Sequence, residues 1–311
     1  QQLPLCSPGS GRPKRSLIQL IEGISATMKM FRARRPDVVI GTGGYVSAAP
    51  VVAAKLLGIP TLLMEQNFMP GFANRMLSKI ANAVAVTYYE SLPLFPRARA
   101  TVTGNPVRSS ILKGKRDKAV ELFGLDPFRI TIFISGGSMG ARRINEAMMS
   151  ALNQLLEVRD GIQFLHQSGE ADYDIVRRAY RELGFKAIAA PFITQMAEAY
   201  ALADVVVCRA GATTLAELTA LGKPAILVPY PHAAGHQEYN ARKLHEAGGC
   251  ILVRDSDLDG IKLAKMLKEF YSSEEKRGVM RRQSRTLGRV DAAQRVADLA
   301  QTLMRVRMRH V

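Results

Sequence analysis

The residues from Cys208 to Glu217 (Cys-Arg-Ala-Gly-Ala-Thr-Thr-Leu-Ala-Glu) set a small-residue turn and a carboxylate at a fixed separation. The apolar run Val205-Val206-Val207 before them reads as a buried parallel strand. The segment then opens a helix that closes near Leu221-Gly222, with Pro224 just beyond. Free amides and the helix dipole meet at such a turn, so Gly211, Ala212, Thr213, Thr214, Leu215 and Ala216 form a candidate anion site. Glu217 falls about one turn further on. A carboxylate repels phosphate but accepts hydrogen bonds from the diol of a neighbouring ribose. Phosphate turn and ribose acid together predict a nucleotide.

Two further glycine loops follow strand-like runs. Gly41, Thr42, Gly43, Gly44 and Tyr45 come after Val38-Val39-Ile40, and Gly136-Gly137-Ser138-Met139-Gly140 comes after Ile134-Ser135. Lacking Cβ atoms, such loops let backbone approach a phosphate, and Ser138 adds a hydroxyl. A tight strand–helix turn explains the glycines equally. Neither loop fits the dinucleotide fingerprint or the Gly-Lys-Ser/Thr phosphate loop.

Polar groups recur at other strand ends, where open parallel sheets bind ligands. Glu65-Gln66-Asn67 follows Thr61–Met64, and either meets ligand or caps a helix starting near Gly71. Arg108, in Gly104-Asn105-Pro106-Val107-Arg108, reaches a pyrophosphate or stays solvated. Gln237 offers both donor and acceptor to sugar hydroxyls. His232 and His236 read as loop histidines before ligands or bases. Asp255-Ser256-Asp257-Leu258-Asp259 has cation-like spacing, but N-capping of the following helix is the stronger reading, and no metal is expected.

These residues need elements to position them. Strands are predicted at 37–41, 60–64, 83–87 and 100–103, then at 129–135, 162–166, 187–190, 204–208, 225–229 and 250–253. Helices are predicted at 16–34, 46–57, 71–80, 141–157, 172–183, 195–201, 212–221, 237–247, 257–271 and 288–306. This is an α/β chain with two successive parallel sheets, joined near Gly104–Lys118. The first half holds few strands for a doubly wound domain, and the chain does not begin with Met. Both point to a start inside a longer protein.

A formal net charge of +16 falls mostly on the first 115 residues, which hold 15 Lys/Arg against 4 Asp/Glu. That imbalance predicts an acidic partner. The absence of Trp and of any recognition motif argues against nucleic acid. Three widely spaced cysteines, Cys6, Cys208 and Cys250, suit a reducing compartment. No run reaches the ~18 apolar residues of a spanning helix. From Ser16, a plain cap, the residues Leu17, Ile21, Ile24, Met28 and Phe31 recur at helical spacing. Arg12, Lys14, Arg15, Lys29, Arg32, Arg34 and Arg35 crowd both ends, so the helix faces either a core or an anionic membrane. Arg305, Arg307 and Arg309 pose the same choice in the last helix.

In order along the chain, Gly-Thr-Gly-Gly-Tyr-Val-Ser at 41–47, Glu-Gln-Asn at 65–67, Gly-Asn-Pro-Val-Arg at 104–108, Gly-Gly-Ser-Met-Gly-Ala at 136–141, His-Gln-Ser-Gly at 166–169, the Cys208–Glu217 stretch and His236–Ala241 resemble the MurG family. These are peptidoglycan N-acetylglucosamine transferases that make lipid II from lipid I. The resemblance covers nearly the whole chain. It implies a GT-B fold, two Rossmann-like domains flanking a cleft. Residues 1–108 with a helix at about 288–311 would form the acceptor- and membrane-facing domain, and residues 109–287 the donor domain. It implies inverting transfer from UDP-N-acetylglucosamine to an undecaprenyl-diphosphate-linked MurNAc-pentapeptide, at the cytoplasmic face of the bacterial plasma membrane, with no cofactor and no metal in the site.

By motif position the resemblance gives Glu217 the ribose, Ser138 and the Gly211–Thr214 turn the pyrophosphate, and the Ile193 backbone the uracil. Gln237 and Asn67 would touch the sugar, Arg108 would lie near the diphosphate, and Gly41–Tyr45 would cradle the acceptor diphosphate. The family's opening Gly-Gly-Thr-Gly-Gly-His loop has no counterpart before Arg12. The first domain is therefore expected to lack its N-terminal strand or strands, several tens of residues on the order of one βαβ unit. No residue is assigned as general base, and donor binding is expected to exceed turnover. The alternatives are a donor-binding fragment with impaired catalysis, or another GT-B UDP-sugar enzyme such as a UDP-N-acetylglucosamine 2-epimerase or a diacylglycerol glycosyltransferase.

Overall fold

A computed structural model describes residues 13–308 apart from 97 and 234, with side chains over 18–305. Cys6, Arg12 and Arg309, and the side chains of Lys14, Arg15, Ser16, Leu17 and Arg307, lie outside what is described. The chain divides into two compact units, one running to Pro106 and resuming at Asp291, the other spanning Val107–Val290. Arg108 thus belongs to the second unit.

The first unit begins with α1 (Pro13–Ala33), β1 (Val39–Gly41), α2 (Ala48–Leu56), β2 (Thr61–Glu65), α3 (Phe72–Leu77), β3 (Ala83–Val86) and β4 (Arg99–Val102). Its sheet is parallel in the order β1-β2-β3-β4. Leu63, Val84 and Val86 pack on Val51, Leu77 and Phe95. On α1 the core-facing positions are Ile24, Met28 and Phe31, against Ala53, Ala54 and Ile59. Ile21 departs from the predicted stripe. It is 58% exposed, on the outward side with Ile18, Lys29 and Arg32, because only the C-terminal turns of α1 pack in that cluster.

The second unit continues with α4 (Arg116–Phe123), β5 (Ile130–Ser135), α5 (Arg142–Ala151), β6 (Ile162–Gln167), α6 (Tyr173–Glu182), β7 (Ala187–Ala190) and α7 (Met196–Leu202). Then come β8 (Val205–Cys208), α8 (Ala212–Leu221), β9 (Ala225–Leu227), α9 (His236–Glu246), β10 (Cys250–Leu252), α10 (Gly260–Ser272) and α11 (Glu274–Thr286). The strand order is β10-β9-β8-β5-β6-β7, all parallel. The chain winds outward from β5 one way and from β8 the other, so the sheet reverses between these neighbours. Their last residues, Ser135 and Cys208, are register partners. A doubly wound sheet opens its ligand crevice there, beyond the carboxyl ends of the strands. The last helix, α12 (Ala292–Met308), belongs to the first unit, where Val296 and Ala300 cover Leu62, Ala83 and Ala85.

Two helices join those predicted, and one predicted helix changes. The polar run 116–123 is a helix, α4, stopped by Gly124 in the left-handed conformation. The segment 274–286 is a helix, α11, despite Gly278 and few apolar residues, because Ser273 caps it and Met280 and Ser284 are buried. The helix predicted over 141–157 tightens after Ala151 into 3-10 turns, where Leu152 and Leu155 are buried at the three-residue spacing of that form. Asp259 accepts from the Lys262 amide at 2.7 Å, so the acidic 255–259 run does cap α10.

Candidate functional site

The crevice of the second unit holds a pocket of about 660 Å³ between the loops after β5 and β8. Neither α5 nor α8 has a side-chain cap at its N-terminus, so amides at both helix starts are left for a ligand. The β5 loop has almost no freedom to change. At Gly140 φ is +75°, and an added Cβ would lie 2.1 Å from the carbonyl oxygen of Ser168.

Of the Cys208–Glu217 stretch, Gly211, Thr214 and Glu217 line the pocket. Their spacing of three puts them on one helix face. Ala212, Thr213 and Ala216 turn to other faces. Leu215 is a correction: its side chain is 3% exposed and sits in the core near Ile193 and Leu218.

Glu217 is 5% exposed. Its Oε2 accepts from the Tyr200 hydroxyl at 3.0 Å, and its Oε1 lies 3.5 Å from Arg108, whose side chain is 68% exposed. Burial raises the Glu217 carboxyl above its ordinary pKa, while Tyr200 and Arg108 pull it back. Arg108 thus pairs with Glu217 at the edge of the pocket.

Gln237 is also corrected. Its Oε1 already accepts from the amides of Ala210 (3.2 Å) and Tyr230 (2.9 Å), so it offers a ligand only its NH2 donors. The amide of Ile193 is likewise engaged, donating to Gln167 Oε1 at 2.9 Å, which leaves its carbonyl for a ligand. Ser138 is exposed on the loop. His232 packs edge-on to Tyr230, and His236 opens α9 with a buried Nδ1 that has no hydrogen-bond partner among the described residues.

Tyr200, Arg209 and Gln167 carry roles that motif reading did not assign. Arg209 donates to the carbonyls of Val228 and Pro229, pairs with Asp255 and lies over the Tyr230 ring. That use of Asp255 leaves little of a cation site. Below the β5 loop, His166 bridges the Tyr180 hydroxyl and Asn145 Oδ1, each at 3.0 Å. An amide oxygen only accepts, so Nε2 carries the proton and Nδ1 receives the tyrosine's. Burial lowers the pKa of His166 to about 3, which keeps that tautomer neutral. The only sequence signal for Tyr200 was its type, since a buried tyrosine needs a partner for its hydroxyl.

In the first unit, the Gly41–Tyr45 loop is tied down from two sides. Gln66 Nε2 donates to the carbonyl of Thr42 at 2.9 Å, and Ser47 Oγ to that of Gly43 at 2.7 Å. Gly43 and Gly44 have φ of 94° and 73°, and Tyr45 is exposed. Glu65 is buried and accepts from Asn67, from the Gly71 amide and from Asn74, which realises the helix-entry reading for that residue. Asn67 stands beside it in this unit.

Residues 131–302 match the Glycosyltransferase family 28 C-terminal domain, and residues 7–86 the Glycosyltransferase family 28 N-terminal domain. A UDP-N-acetylglucosamine–N-acetylmuramyl-(pentapeptide) pyrophosphoryl-undecaprenol N-acetylglucosamine transferase from Thermodesulfovibrio yellowstonii is 46% identical over 292 residues. That match covers 94% of this chain and 80% of the relative. The crystal structure of Acinetobacter baumannii MurG superposes with a TM-score of 0.75 at 30% identity, covering 96% of this chain and 83% of that one. A putative UDP-N-acetylglucosamine 2-epimerase from Listeria monocytogenes shares the fold, with a TM-score of 0.72 at 13% identity over 94% of this chain and 80% of that one.

Proposed function

The chain belongs to glycosyltransferase family 28 and, within it, to the MurG transferases; from that premise we propose that its second unit binds the UDP-linked donor and its first unit the diphosphate of a lipid-linked acceptor. The fold is GT-B, with two Rossmann-like parallel sheets. The reaction moves N-acetylglucosamine from UDP-N-acetylglucosamine to the undecaprenyl-diphosphate-linked MurNAc-pentapeptide, a step of peptidoglycan synthesis.

The carrying observation is that two uncapped helix starts, on neighbouring strands, border one pocket whose wall also bears Glu217. In an inverting displacement the acceptor oxygen bonds to the anomeric carbon as the bond to UDP breaks. Negative charge grows on the departing diphosphate. Amides fixed at the starts of α5 and α8, with Ser138, Thr214 and Arg108, oppose that charge more strongly in the transition state than before it. Glu217 holds the ribose, Ile193 meets the base through its carbonyl, and Gln237 donates to the sugar. Gly41–Tyr45 receives the acceptor diphosphate.

Calorimetry with UDP, followed by transfer of radiolabelled N-acetylglucosamine to a lipid I analogue, tests the reading. Binding of UDP and label on the lipid are expected. Release of free N-acetylmannosamine with no labelled lipid would instead identify an epimerase.

Peripheral binding at the cytoplasmic membrane face belongs to the same proposal. No helix among the described residues is long and apolar enough to cross a membrane. Exposed Ile18, Ile21 and Met30 share α1 with exposed Lys29 and Arg32, and Arg34, Arg35 and Arg305 are exposed too. Apolar insertion beside cationic attraction favours anionic lipid. The protein is expected to float with vesicles containing phosphatidylglycerol and to remain in solution with pure phosphatidylcholine; equal flotation with both would remove the electrostatic part.

A further inference from the structure

We infer that Gln167 is a positioning residue that ties the diphosphate-facing glycine loop to the base-facing loop, so that the two ends of a nucleoside diphosphate are gripped as one unit. The inference rests on the donor-site reading above and names a part of that site which the comparisons do not assign.

Gln167 ends β6, the strand between β5 and β7, in register with Ser135 on one side and Ala190 on the other. The loop after β5 (136–141) and the loop after β7 (191–195) therefore emerge on either side of it. Its side chain is 3% exposed and spans the gap. Nε2 donates to the carbonyl of Gly137 at 2.7 Å, and Oε1 accepts from the amide of Ile193 at 2.9 Å. The Gly137 carbonyl also closes the loop's own turn, accepting from Gly140 at 3.0 Å. A trans peptide is planar, with its N–H opposite its C=O. Drawing the Gly137 carbonyl towards Gln167 therefore turns the Ser138 amide away from it. The strand end is itself held, since Asn145 donates to the Ser168 carbonyl and Asp172 at 2.8 Å each. Gln167 is thus a carboxamide used at both ends, on two separate loops, at the wall of the donor pocket.

Only a group that both donates and accepts can bridge a carbonyl and an amide. Gln167→Glu keeps the shape and the acceptor but sets a carboxylate against the Gly137 carbonyl. When protonated, it regains the donor. At about pH 7.5 this variant is expected to bind UDP about 30-fold more weakly than the parent, the scale of one lost bond and one new repulsion. The deficit, taken against the parent at each pH, should shrink as the pH falls to about 5.5, where carboxyl groups begin to take up protons. Gln167→Met should be weak at both pH values. Variants within about 3-fold of the parent at pH 7.5, or a deficit in Gln167→Glu that ignores pH, would overturn the inference.

Should either variant not fold, amide hydrogen exchange on the unaltered protein carries the same test. Inorganic pyrophosphate, which has no base, should slow exchange at Ile193 as well as in the glycine loop. Slowing confined to the glycine loop would overturn the linkage. A parent protein that does not bind UDP at all would instead remove the donor-site reading itself.

Discussion

Replacing Glu217 by alanine is expected to weaken UDP binding by about 100-fold or more. The carboxylate faces the pocket with one oxygen anchored by Tyr200 and the other lightly held by Arg108. A ribose diol brings two donors. Hydrogen bonds to a charged group are worth roughly 1.5–3 kcal/mol each, so losing two removes about 3–6 kcal/mol, or about two to four decades in affinity. Displacing Arg108 costs little, because a pair with a mostly exposed arginine contributes about 0–1 kcal/mol. The freed guanidinium then becomes available to the diphosphate.

The same carboxyl sets a pH dependence. Burial raises its pKa above the ordinary carboxylate value, so it begins to protonate at a higher pH than an exposed glutamate. A protonated acid loses acceptor capacity, and UDP affinity is expected to fall as the pH drops through that raised value. Glu217→Gln should bind more weakly and lose this part of the pH profile. For folding the sign is opposite. A folded pKa above the unfolded one stabilises the native state at low pH, and that contribution disappears as the pH rises through the folded pKa. Calorimetric titrations of the parent and both variants across the acid range check all three expectations.

The second large effect is at Gly140. Alanine there meets a left-handed backbone, costing roughly 1–2 kcal/mol, and a clash with a backbone oxygen that no rotamer change relieves. The β5 loop or the end of β6 must shift on the order of 1 Å, and misplacement of that size costs about 100-fold in catalysis. Gly140→Ala is therefore expected to lose about two decades in donor binding and transfer, along with roughly 2–4 kcal/mol of stability. Gly124→Ala is the control. It has a similar φ of +61° with nothing within 4 Å of the added Cβ. It should lose only the conformational cost and leave UDP affinity unchanged. Thermal melting and UDP titration of the two variants separate local strain from damage to the site.

How much of this was legible in the sequence depended on whether periodicity or partnership decided the matter. Runs such as Val205–Val207 and Ile132–Ile134 had to be buried strands, and the glycine loops after them had to lie at the crevice. By contrast, α11 carries so few apolar residues that its burial comes from what packs on it. The 116–123 run hid a helix because its charges resembled a linker. Within the site, residue type located Glu217, but only the fold could show that Tyr200 and Arg108 hold it. Leu215 and Gln237 show the limit of a contiguous motif. Helical rotation sends Leu215 into the core, and the acceptor of Gln237 is spent on two backbone amides. Gln167 was visible within a motif, yet its action depends on two loops that are distant in sequence.

The central claim is that backbone amides at the starts of α5 and α8 receive the donor diphosphate while Glu217 takes the ribose. A crystal structure with bound UDP tests it most directly. The account predicts diphosphate oxygens within hydrogen-bonding distance of amides in 136–141 and 211–214, both ribose hydroxyls on Glu217, and Arg108 drawn off that carboxylate. UDP seated elsewhere, or a nucleotide in the pocket with Glu217 still paired to Arg108 and its ribose facing solvent, would contradict it.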